Sequence, residues 1–304
     1  MIEAHSLTKD YGGVRAVDDL SFEVRPGVVT GFLGPNGAGK STTMRMIIGL
    51  DRPTGGLVHV NGRPYRDVRR PLHEVGAVLE TGALHGGRSA RNHLLVLAQS
   101  NGIGRRRVDE VVGVVGLDGA AGRRAGTFSL GMRQRLGLAA ALLGDPPVLL
   151  CDEPVNGLDP EGIRWIRGLL RNLAAEGRTV FVSSHLMSEM ALTADELIVV
   201  GRGRLVASGT VREIIARASH RRVQVRTPMA DMLSARLVER GGSVDRGSDG
   251  ALLVDGMSAA EVGDLAAAHR ITVHELVELE ASLEEAFMAM TSDSVEFAGS
   301  GATR

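Results

Sequence analysis

The chain has 304 residues, 35 basic and 36 acidic, and a formal net charge of -1; that balance argues against binding nucleic acid by bulk electrostatics and leaves open only a local basic groove. Its length, with 43% hydrophobic and only 3% aromatic residues, implies one large domain with an addition, or two domains, cored by Val, Leu, Ile and Ala. The single cysteine, Cys151, excludes an internal disulfide and a cysteine-based zinc knuckle, and fits a reducing compartment.

Met1-Ile2-Glu3-Ala4-His5 has neither the basic start nor the apolar stretch of a secretory leader. No run approaches the ~18 apolar residues of a membrane span, so any membrane component is expected to be another chain. Apolar runs then alternate with helical patterns over about the first 216 residues, the mark of an α/β sheet. Val28–Leu33 reads as a strand, Lys40–Leu50 as a helix, and Val58–Val60 as a strand entering the Asn61-Gly62 turn. Ser89–Ser100, Arg107–Val115 and Ser129–Leu143 carry helical periodicity and predict a helical insert, with Ser129 placed to cap its helix. Val148–Cys151 and Thr179–Val182 are continuous apolar runs, as strands buried on both faces require. Leu197–Ala207, broken at Gly201-Arg202-Gly203, reads as a hairpin.

The character changes near His220. Arg222–Val225 alternates as a strand, Met229–Glu239 is helical, and Ser243–Asp245 and Leu252–Val254 flank a Gly-rich turn. Ser258–His269 is helical and Ile271–Leu279 strand-like, which gives the order β-α-β-β-α-β of a split-βαβ unit. Ser282–Met290 closes the pattern as an amphipathic helix, and the tail from Ser292 is expected to be loose. The predicted domains are 1–216 and 217–304.

Gly34-Pro35-Asn36-Gly37-Ala38-Gly39-Lys40-Ser41 matches G-x-x-x-x-G-K-[ST] between a predicted strand and a predicted helix. Glycines let backbone N–H groups converge on phosphate oxygens, and the helix beginning near Lys40 adds its positive end. The chain has only two lysines, Lys9 and Lys40, beside 33 arginines. A compact ammonium at Lys40 therefore invites a chemical reason, one a wide guanidinium would not serve. Ser41 is expected to ligate Mg²⁺ and Thr42 to hold an inner phosphate. Asp152 ends the apolar run from Val148, at the carboxyl end of a buried strand, where it can hold Mg²⁺. Glu153 follows, placed to polarise an attacking water.

Phe128-Ser129-Leu130-Gly131-Met132-Arg133-Gln134-Arg135 stands just upstream, with Ser129 23 positions before Asp152. Asp159 lies in Gly157-Leu158-Asp159-Pro160, His185 follows Ser183-Ser184, and Tyr11 precedes the phosphate loop. In this order around a phosphate loop, these segments resemble the signature motif, D-loop, switch histidine and adenine-stacking aromatic of ATP-binding cassette (ABC) proteins. The resemblance covers residues 1–216. It implies an α/β P-loop NTPase of the ABC ATPase class with a helical insert, here followed by a small α+β domain. It implies ATP and Mg²⁺ as cofactors and a head-to-tail homodimer, each ATP lying between one phosphate loop and the partner copy's signature helix. Ser129, at a helix start, and the Gly131 N–H offer an anion site for that purpose. Leu130 and Met132 depart from the family's Leu-Ser-Gly-Gly-Gln pattern, and Glu80 stands where the family places a glutamine; its carboxylate can still meet Mg²⁺.

Leu283-Glu284-Glu285-Ala286-Phe287 resembles the extension of ATPases in the drug- and antibiotic-exporting branch, which work with separate ABC-2-type permeases. The resemblance thus implies an ATP-hydrolysing exporter subunit on the inner face of the membrane, held there by its permease. The alternative is a soluble ABC ATPase acting on nucleic acid or the ribosome. Such proteins typically carry two cassettes or long coiled-coil inserts, and this chain has one cassette and no sustained heptads. Arg105-Arg106-Arg107 and Arg123-Arg124 lack interleaved aromatics and read as solvated faces, so no nucleic-acid partner is expected. His73, His85 and His93 lack metal-ligand spacing.

Overall fold

Ile2–Tyr11 (β1) folds back on Val14–Val24 (β2) as an antiparallel pair. Periodicity does not pick these strands out, because the register shifts three times between Ala4 and Asp10 and Ser6 takes a φ of 46°. Each bulge moves the side chains to the other face, so a period of two is lost within the strand. Val29–Leu33 (β3) is buried at every position and runs through the Gly-rich loop into Lys40–Ile47 (α1). This helix stops short of Leu50: Gly49 adopts a φ of 70° and the Leu50 N–H returns to the Arg45 carbonyl at 2.9 Å, a left-handed closure that ends a helix. Gly55–Val60 (β4) pairs with β1, which gives a three-stranded antiparallel sheet of order β2-β1-β4.

Pro71–Glu74 (α2) leads into Val75–Val78 (β5). Three helices follow, Ala90–Ser100 (α3), Arg105–Val114 (α4) and Leu130–Ala141 (α5). The Ser89 and Ser129 hydroxyls cap α3 and α5 by accepting the N–H groups of Asn92 and Met132. In the arginine run at the start of α4, Arg106 and Arg107 pair with Glu110, and Arg107 also reaches Asp145. Next come Val148–Asp152 (β6), Pro160–Ala175 (α6), Thr179–Ser184 (β7) and Met187–Thr193 (α7). Glu196–Gly201 (β8), Arg204–Thr210 (β9) and Val211–Ala218 (α8) close this part of the chain. Six strands form a sheet of order β5-β6-β7-β3-β8-β9, parallel except for the β8–β9 hairpin.

Arg222–Arg226 (β10), Ala230–Glu239 (α9), Ser243–Arg246 (β11), Leu252–Asp255 (β12), Ala259–Ala268 (α10) and Glu275–Leu279 (β13) follow. The four strands form an antiparallel sheet of order β11-β12-β10-β13, so β10 and β11 are split by β12, as a split-βαβ unit requires. The last strand begins at Glu275 rather than Ile271. Arg270 takes a φ of 56° and the Ile271 N–H returns to the Ala266 carbonyl at 2.8 Å, so Ile271 belongs to the closure of α10. Leu283–Thr291 (α11) buries Leu283, Ala286 and Phe287.

This computed structural model describes residues 1–79, 84–218, 222–247, 249–279 and 282–291. They divide into two compact units, Met1–Val211 with Thr291 and Arg212–Met290, each with its own core. In the first, Phe22 of β2, Phe32 of β3 and Phe181 of β7 pack with ring centroids 5.0 to 5.8 Å apart and tie the two sheets together. Phe181 is fully buried, and Phe181→Ala is expected to lower stability by about 3–5 kcal/mol, measured by chemical denaturation. Cys151 lies in buried β6, and burial pushes its thiol up to about 12, which fits a packing role. Among the described residues, no helix is long and apolar enough to cross a membrane.

Candidate functional site

Three neighbouring parallel strands, β6, β7 and β3, end side by side, and the loops that leave them carry the chemistry. That is the edge of an open α/β sheet where ligands bind. From β3 the chain enters Gly34–Gly39. Gly39 takes a φ of 92°, and a Cβ there would lie 2.4 Å from the Ala16 carbonyl oxygen, so only glycine fits. No side chain caps α1, and its first turn holds no acid. The N–H groups at its start are therefore free of a side-chain competitor for an anion.

Lys40 lies almost wholly buried, its Nζ donating to the carbonyls of Gly34 at 2.7 Å and Pro35 at 3.2 Å. Burial lowers its pKa, and the Glu153 and Asp152 carboxylates oppose that shift. Its ammonium stands 3.9 Å from Glu153 Oε1, and Glu153 Oε2 lies 2.8 Å from His185 Nδ1. Lys40, Glu153 and His185 thus form one chain of polar contacts across three strand ends. Glu153 itself takes a φ of 49°, a conformation uncommon outside glycine and typical of functional sites. Asp152 accepts a hydrogen bond from the Ser183 hydroxyl.

Tyr11, at the end of β1, is 45% exposed. Its hydroxyl donates to Asp51 Oδ2 at 2.8 Å, the oxygen that also accepts from Arg45 Nε of α1, which places the ring beside α1. Desolvation and then the Asp51 carboxylate raise its pKa. Lys9 Nζ sits 4.7 Å from the centre of this ring, a cation–π contact that motif reasoning misses. The signal is present in composition, since Lys9 is the only lysine besides Lys40.

A second cluster gathers the remaining residues. Ser129 caps α5, while Asp159 caps α6 by accepting the Gly162 N–H at 2.8 Å. The Leu130 side chain packs over Gly157, and that of Leu158 over Gly131. The start of α5 and the loop before α6 therefore interlock, and Ser129, Gly131 and Asp159 are held together there. Glu80 lies outside the described residues.

The donors present fit a hard divalent cation shared with phosphate. Ser41 offers an exposed hydroxyl and Asp152 a carboxylate. No group of three or more His, Cys, Asp or Glu suited to a metal occurs among the described residues. Mg²⁺ characteristically binds through one or two protein oxygens plus substrate phosphates rather than in a protein cage.

Residues 17–156 match the ABC transporter family, and residues 219–284 match a domain of unknown function (DUF8746). An "Uncharacterized ABC transporter ATP-binding protein YhcH" from Bacillus subtilis is 37% identical over 97% of both chains. The Daunorubicin/doxorubicin resistance ATP-binding protein DrrA of Streptomyces peucetius is 34% identical, over 95% of this chain and 92% of its own. The Bacitracin transport ATP-binding protein BcrA of Bacillus licheniformis is 42% identical over 68% of each. A solved ATP-binding subunit of an ABC transporter overlays 71% of this chain and 92% of its own, with a TM-score of 0.65 and 28% identity. The dimeric post-hydrolysis cassette MJ0796, bound to ADP and Pi, covers 69% of this chain and 98% of its own, with a TM-score of 0.63 and 25% identity. A phosphate loop, paired acids at the end of β6 and a relative matched along nearly the whole length lead to one conclusion: this chain belongs to the ABC transporter family, as an ATP-binding subunit that hydrolyses ATP.

Proposed function

We propose that two copies of this chain close head to tail around two ATP molecules with Mg²⁺, and that the closure drives export of a drug, antibiotic or other amphipathic compound through a separate ABC-2-type permease. The observation that carries the ATP site is the Lys40–Glu153–His185 chain of contacts beside an uncapped helix start. The loop Gly34–Gly39 cradles the phosphates with the backbone N–H groups of Gly34, Asn36, Gly37, Ala38 and Gly39, Pro35 having no N–H to give and shaping the loop instead. Lys40 swings from its carbonyl partners to the outer phosphates, and Thr42 holds an inner one. Ser41 and Asp152, together with Glu80, would hold the Mg²⁺, and the ion would supply charge neutralisation of the phosphates. Glu153 orients the attacking water and takes up its proton, while His185 keeps contact with the terminal phosphate. Tyr11 stacks on the adenine. Ser129, Gly131 and Asp159 of the partner copy seal the site from the other side.

Export is supported by relatives named for bacitracin transport and for daunorubicin/doxorubicin resistance, and this favours transport over action on nucleic acid or the ribosome. The chain then sits on the cytoplasmic face of the membrane, bound to its permease. Residues 217–304 serve as an accessory or regulatory domain. Affinity purification of the tagged chain from detergent-solubilised membranes tests the partnership. Recovery of a multi-span protein whose ATP-dependent transport needs this chain is expected; ATPase activity without any such partner would contradict it.

A further inference from the structure

Glu153 meets Lys40 and His185 from a backbone that turns left-handed immediately after β6. Something must hold that turn, and it lies on the neighbouring strand. Asp152 of β6 is paired in register with Ser183 of β7. The Ser183 side chain is fully buried. Its hydroxyl donates to Asp152 Oδ1 and accepts the Glu153 N–H at 3.0 Å, and its carbonyl oxygen takes the same N–H at 3.3 Å. One hydroxyl therefore uses its single proton on one acid and a lone pair on the backbone of the next.

We propose that Ser183 is the positioning residue for both acids. It fixes the rotamer of Asp152, leaving one carboxylate oxygen to face the metal, and it secures the Glu153 backbone at the φ of 49° that aims the carboxylate at Lys40 and His185. Without the hydroxyl, Asp152 is free to rotate and Glu153 keeps only the longer bond to the Ser183 carbonyl. The Ser183 side chain is fully buried and its hydroxyl is engaged by Asp152 and Glu153, so its loss changes their geometry and leaves the phosphate loop intact. Small misplacements of this kind carry large kinetic costs. The inference rests on the ATP-site reading above and deepens it.

The test compares Ser183→Ala and Ser183→Thr in the full chain. ATP affinity is measured by titration calorimetry in EDTA and across a range of Mg²⁺, and kcat and KM are measured separately. For Ser183→Ala, metal-free ATP affinity is expected to stay within about twofold of wild type while kcat falls roughly 10- to 100-fold with little change in KM. The Mg²⁺ needed for half of the metal-dependent gain in affinity is expected to rise several-fold. Ser183→Thr, which keeps the hydroxyl, is expected to restore most of the rate and the Mg²⁺ requirement. Should the alanine chain fail to fold, Ser183→Cys, similar in shape and weak as a donor, carries the same comparison. A wild-type rate and Mg²⁺ requirement in Ser183→Ala overturn the inference, as does a threonine variant as impaired as the alanine. Wild-type protein that binds no ATP would overturn the ATP site and this inference together, whereas an active wild type beside an indifferent alanine variant overturns this inference alone.

Discussion

Glu153→Gln is expected to lower ATP turnover by about 10²- to 10⁴-fold, the range for loss of a positioned general base, while ATP binding survives. The exchange keeps the side chain's shape, so the left-handed backbone at Glu153 and its bond to Ser183 have no reason to change. What disappears is the proton acceptor and one negative charge 3.9 Å from Lys40. Removing that charge leaves the ammonium less neutralised, so the phosphates are held at least as well. Steady-state turnover with calorimetric ATP titration separates the two effects. A turnover within about threefold of wild type would show that Glu153 is not the base.

Lys40→Ala is expected to act on binding. The lysine is buried, and in the structure its ammonium is satisfied by two carbonyls of the loop it serves. Those bonds hold the charge ready at the phosphate site against its own desolvation. Truncating one member of a buried, hydrogen-bonded charge pair costs about 2–5 kcal/mol, which corresponds to roughly 30-fold or greater weakening of ATP binding. Calorimetric titration checks this, with circular dichroism to confirm that the fold is retained. Unaltered affinity would remove Lys40 from the phosphate site. The two variants thus separate, one failing in chemistry and the other in binding.

The parts of the site that sequence made legible are those set by local chain geometry. The phosphate loop needs particular residues at fixed spacing between a strand and a helix, and β3 and α1 stand where that pattern places them. Asp152 could be placed because an apolar run announces a buried strand and so its end. The β-α-β-β-α-β order of the second unit was legible because each element carries its own periodicity. Contacts made by tertiary pairing were not. Ser183 matters because strand register sets it opposite Asp152, 31 positions earlier, and nothing in a Ser-Ser-His run signals that. Lys9 meets Tyr11 two positions along the same strand, a local contact at a position no motif includes. Strands β1 and β2 escape a periodicity reading because bulges interrupt them, and β13 is shorter than its apolar run because Ile271 serves the closure of α10. The departures Leu130 and Met132 acquire a partial physical account. Leu130 fills the space over Gly157 and so joins the start of α5 to the loop that carries Asp159.

The central claim is that nucleotide held at Lys40 in one copy is closed over by Ser129 of another. Native mass spectrometry of Glu153→Gln with ATP and Mg²⁺ tests it most directly. The account predicts a species of two chains and two nucleotides that is lost when Ser129 is replaced by a bulky residue; one nucleotide on a single chain, or a dimer indifferent to Ser129, would contradict it.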